Sequence, residues 1–82
     1  MTALAKKVLE SHQRVIDTMQ YGAKWKQDLA LWAFFNDVRR YDEVSANYVQ
    51  EFNVDRFNPR LQEVWDDFYE WEANVYRHSH RL

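Results

Sequence analysis

Apolar residues recur at helical spacing along almost the whole chain. Leu4, Val8, Leu9, Val15, Ile16 and Met19 fall on one helix face, with His12 filling the gap in the stripe. Thr2 is a suitable N-cap for this segment, and Gly22, the one glycine, predicts its end in a left-handed conformation. Between Ala23 and Asn58 there is neither Gly nor Pro. A first stripe there is Trp25, Leu29 and Trp32; a second is Leu31, Phe34, Val38, Tyr41, Ser45, Tyr48 and Phe52. The second steps alternately by three and four, the seam of packed helices, and predicts one helix over 24–52, about 43 Å long at 1.5 Å per residue. Asp42 is also a competent N-cap, so the alternative is a break there followed by a second short helix.

Asn58 followed by Pro59 reads as an N-cap and the favoured first helical residue. Leu61, Val64, Phe68, Trp71, Val75, His78 and Leu82 then repeat the same stepping, and Trp65, Tyr69 and Tyr76 widen one flank. No segment alternates convincingly enough for a strand, no hairpin dipeptide occurs, and no internal repeat is visible. The expectation is a single all-α domain over residues 1–82: a helical hairpin or three-helix bundle, its long central helix antiparallel to the C-terminal one. Helices of about 28, 43 and 35 Å leave the central one overhanging, which a second subunit would cover.

Composition sharpens this picture. A chain of 82 residues builds one small core. With no cysteine it has no disulfide, zinc finger, iron–sulfur ligand or thiolate nucleophile to help it. Five Phe, four Trp and five Tyr are more rings than such a core hides, and surplus rings concentrate at interfaces, so a homo-oligomer, most simply a dimer, is expected. No apolar run reaches the roughly 18 residues of a membrane span, and MTALAKKVLE lacks the apolar core of a secretion signal; the expected location is the cytoplasm. The net charge of −2 is unevenly spread. Residues 1–40 carry seven Lys/Arg against four Asp/Glu, and residues 41–82 four against nine, an asymmetry that selects among helix pairings.

Candidate chemistry is sparse. Glu63, Asp66, Asp67 and Glu70 share a helix face at i, i+3, i+4 and i+7, a pattern suited to Mg²⁺ or Mn²⁺ in an all-α hydrolase. Such sites draw ligands from two helices, however, and no second pair with that spacing is present. The same acidic row can imitate a run of phosphates, but −2 is a weak charge for a nucleic-acid mimic. The basic pairs Lys6/Lys7, Lys24/Lys26 and Arg39/Arg40 are too few, and too interrupted by acids, for direct nucleic-acid binding. His78 and His80 point to opposite faces of a helix, and His12 reads as a core histidine. Ser11 beside His12 diverges from it by about 100°, so no catalytic triad is suggested, and one glycine builds no phosphate loop. Nucleotide stacking between Trp25 and Trp32 with Arg39 or Arg40 is outweighed by core or dimer-seam packing of the same rings.

The reading favoured is a non-enzymatic protein-binding module, needing no cofactor, that regulates or inhibits a larger partner through a rigid helix face. Its expected anchors are Trp65, Tyr69 and Tyr76, with Asp66, Asp67 and Glu70 setting orientation. The metal-dependent hydrolase with its carboxylates at a dimer interface and the nucleic-acid-mimicking inhibitor are the alternatives.

Overall fold

Thr2 holds an extended backbone, and its Oγ1 accepts a hydrogen bond from the Ala5 amide at 3.2 Å, starting α1 (Ala3–Tyr21). The computed structural model describes the backbone of residues 1–80 and the side chains as far as Val75. After α1 come α2 (Lys24–Asn47), the single-turn α3 (Val49–Phe52), a 3₁₀ turn (Asn53–Asp55) and α4 (Pro59–His80). Asn58 caps α4 as its sequence predicts, its Oδ1 accepting from the Arg60 amide at 3.0 Å.

The three long helices run up, down and up in a bundle of 41 × 27 × 18 Å. Ser11 hydrogen-bonds Asp37, while Gln27 donates to the Thr18 carbonyl at 3.2 Å, so α1 and α2 are antiparallel. Tyr41 meets Trp65 and Phe34 meets Trp71, so α2 and α4 are antiparallel too. The all-α expectation and the antiparallel central helix both hold. The backbones of α1 and α2 approach each other more closely than those of α2 and α4. Rings fill the wider gap: Phe34, fully buried, has the ring centroids of Phe68 at 6.2 Å and Trp71 at 5.4 Å, and Phe35 stands 5.5 Å from Phe68.

Three sequence expectations need correction. The central helix neither runs to Phe52 nor breaks at Asp42; it ends at Asn47, and Tyr48 leaves helical geometry at φ −130°, ψ 54°. Continued straight, the stripe would carry Phe52 into solvent. The break instead turns it back onto Tyr41, ring centroids 5.2 Å apart and nearly perpendicular, while Tyr48 stays exposed. Gly22 is extended rather than left-handed, at φ −98°, ψ 154°. Its glycine identity answers a close approach: its amide donates to the Thr18 carbonyl at 2.8 Å, and a Cβ at this position would lie 2.8 Å from the same oxygen. Val75, expected on the inner stripe of α4, is exposed, and His78 and Leu82 of that stripe lie outside the described residues.

The turn after α3 delivers Asp55 into the bundle, where it is 2% exposed. Its carboxylate accepts from the Thr2 amide at 3.0 Å, the Thr2 hydroxyl at 2.6 Å and the Tyr41 hydroxyl at 2.9 Å. The start of α1, the middle of α2 and the connector are thereby tied at one carboxylate. Burial alone would push this carboxyl up; the bonds from Thr2 and Tyr41 outweigh it and hold the group below the ordinary carboxylate range. Burial, and then the bond to Asp55 and its charge, push the Tyr41 hydroxyl well above its usual value.

A lowered folded-state value means that the unfolded chain binds the proton more tightly, so this contribution is complete at neutral pH and is lost as pH falls through the folded-state value. Asp55→Asn is expected to cost about 2 kcal/mol at pH 7, and urea midpoints of the two proteins should converge below about pH 4. A constant gap across that range would contradict the charged brace. Gly22→Ala should lower stability by about 1 kcal/mol in the same assay, because backbone rather than a flexible side chain must move.

Candidate functional site

Pro59 launches α4 so that Leu61, Val64 and Phe68 face the core, which decides where its polar and aromatic residues go. Trp65 is half-buried, its ring 5.2 Å from Tyr41. Partial burial raises the Asp42 carboxyl, and the nearby Trp65 indole partly offsets this. Asp67 turns toward α1, with its Oδ2 2.7 Å from Nε2 of the buried His12. The imidazole in turn stacks on Trp71 at 5.5 Å and 19°. Both Trp65 and Asp67 are therefore engaged in holding α4 to the other helices. Asp66, Tyr69 and Glu70 remain exposed on its outer side, and the side chain of Tyr76 lies outside the described residues.

The carboxylate row is broken up by the same geometry. Asp67 leaves Glu63, Asp66 and Glu70 for His12, and among the described residues no group of three or more His, Asp or Glu side chains is placed to hold a metal ion. Ser11 donates to Asp37 and His12 pairs with Asp67, so the adjacent serine and histidine are committed to different helices.

A concavity with a volume of ≈ 710 Å³ lies between α2 and α4. Leu31, Trp32, Phe35 and Arg39 line it from α2, one helical row apart, with Asp28 at the rim. Tyr69, Glu72, Ala73 and Val75 form the opposite wall. Trp32 is 64% exposed and Tyr69 61%, so two large rings stand on opposite lips. The Arg39 guanidinium lies 3.5 Å from the Glu72 carboxylate and spans the two helices; being exposed, this pair orients more than it stabilises. The α2 stripe continues outward through Leu29 and Trp25, 60% and 61% exposed, with the Lys26 ammonium 5.5 Å from the Trp25 ring. An apolar floor with a few charged groups at its edge is the general form of a binding site.

The sequence shows Trp25, Leu29 and Trp32 as a helical stripe, read there as core or dimer seam and not as part of the binding site. Its partner wall is not legible there, because Tyr69 and Val75 join it only through the pairing of α2 with α4. Set against protein-family models, curated proteins and solved structures, the chain matches none. Geometry and chemistry alone carry its functional reading.

The division of the α4 carboxylates can be measured. Asp67→Lys should cost about 2 kcal/mol by leaving a buried histidine without its hydrogen-bond acceptor. Asp66→Lys and Glu70→Lys should each stay within about 0.5 kcal/mol of the parent in denaturant melts. Equal effects at all three positions would mean that α4 is rotated from the orientation described.

Proposed function

We propose that this chain is a non-enzymatic protein-binding module whose docking surface is the face shared by α2 and α4. The observation that carries the reading is the pair of rings, Trp32 and Tyr69, more than half exposed on either side of an apolar groove. Rings of this kind dominate binding energy where they are surrounded by contacts that exclude water. The surface is also preorganised. Trp32 and Tyr69 project from helices whose inner faces are fixed by Phe34, Phe35 and Phe68, so docking orders few side chains and no backbone. Asp66 and Glu70 follow Tyr69 along the outer side of α4 and give the site an acidic border that favours a partner with basic residues at its rim. The expected anchor role thus rests on Tyr69, joined by Trp32, while Asp66 and Glu70 keep the orienting role.

Removing both rings in a Trp32→Ser, Tyr69→Ser variant is expected to weaken partner capture at least tenfold, with helical content by circular dichroism retained because both positions are exposed. Capture that persists undiminished by the folded variant would place the docking surface elsewhere and defeat the reading.

A further inference from the structure

Resting on that reading, we infer that the partner this face takes is a second copy of the same chain, the two α2 helices crossing antiparallel about a two-fold axis near Leu29. A two-fold interface needs one patch complementary to itself, and this patch holds both halves of the fit. The ridge of Trp25, Leu29 and Trp32 protrudes, and the groove floored by Leu31 and Phe35 lies directly beside it. Trp25 and Trp32 are about 10 Å apart along the helix, so an antiparallel crossing between them brings Trp25 of one protomer level with Trp32 and the groove of the other.

Charge selects the same arrangement. Residues 18–27 contain Lys24 and Lys26 and no acid, whereas α4 between Leu61 and Val75 contains no base and exposes Glu63, Asp66 and Glu70, acids not drawn into pairs with α1 or α2. Antiparallel crossing carries the basic start of each α2 toward the acidic α4 wall of its partner, at the level of Tyr69 and Glu70. Parallel crossing would set Lys24 and Lys26 against their own copies, a like-charge contact that costs specificity and stability. The area is also adequate. Trp25, Leu29, Trp32, Tyr69 and Val75 together leave about 500 Å² exposed if a fully covered ring counts for about 200 Å². A standard interface covers about 800 Å² per partner and is a little over half apolar, so the apolar share is present on this one face.

Sedimentation equilibrium of the full chain from micromolar to about 1 mM tests the assignment. The expected result is a reversible monomer–dimer equilibrium, weakened at least tenfold by Leu29→Glu or Trp32→Ser. A charge exchange guards against variants that merely unfold. A chain carrying Lys24→Glu and Lys26→Glu, and another carrying Asp66→Lys and Glu70→Lys, should each self-associate at least tenfold more weakly, while their equimolar mixture regains the parental affinity as a heterodimer. A monomer throughout the range, or a dimer indifferent to these substitutions, or a mixture that regains nothing, overturns the second-copy assignment. A monomer that still captures a foreign protein through Trp32 and Tyr69 overturns the assignment and leaves the binding-module reading standing. A monomer with no capture dependent on those rings overturns both.

Discussion

Phe34 has no exposed surface, and the rings of His12, Phe35, Phe68 and Trp71 stand with their centroids between 5.4 and 6.2 Å from its own. The rest of the bundle follows from packing these rings between α2 and α4. Six-membered rings and an indole do not permit the close backbone approach that Ala5, Val8 and Ala30 allow between α1 and α2, so α4 stands off from α2. The stand-off leaves the upper edges of both helices apart, and the groove between Leu31 and Tyr69 is the result. It also draws His12 inside, where a polar ring needs an acceptor; Asp67 supplies one, and Trp71 covers the imidazole face.

At the other end of the bundle a polar contact does the corresponding work. Asp55, surrounded by Thr2 and Tyr41, ties three segments that are distant in sequence, and Tyr41 is itself wedged between Phe52 and Trp65. A buried carboxylate that accepts from an amide and two hydroxyls is directional in a way that apolar contacts are not, and it fixes where the chain must turn after α2. The two ends differ accordingly. One is closed by hydrogen bonds around a charge, the other is propped open by rings, and the exposed rings of Trp32 and Tyr69 flank the opening.

Much of this architecture is legible in the residue pattern. Thr2 and the Asn58–Pro59 pair mark helix starts by capping chemistry that acts locally, and the stripes through Val8, Phe34, Val38 and Val64 face inward because burial follows the helical period. Long-range partners are what periodicity cannot supply. Nothing in the neighbourhood of Asp55 announces that it belongs under Tyr41, and nothing near Asp67 distinguishes it from Asp66, its exposed neighbour, until His12 is placed beside it. Tyr48 sits on the predicted stripe but gives way, since turning the chain buries Phe52 and Asp55 together. The row Trp25, Leu29 and Trp32 is readable as a helical stripe, whereas its exposure and its joining to Tyr69 across a groove depend on the helix pairing.

The four tryptophans fall into two kinds. Trp65 and Trp71 prop α4 against its neighbours, while Trp25 and Trp32 are left exposed by the same packing. Acrylamide quenching of four single-tryptophan variants, each retaining one indole with phenylalanine at the other three positions, tests that division most directly in dilute solution. Trp25 and Trp32 are expected to emit at long wavelength and to quench strongly, and Trp65 and Trp71 to emit further to the blue and quench weakly. Four indoles of equal accessibility, or shielded Trp25 and Trp32 beside freely quenched Trp65 and Trp71, would contradict it.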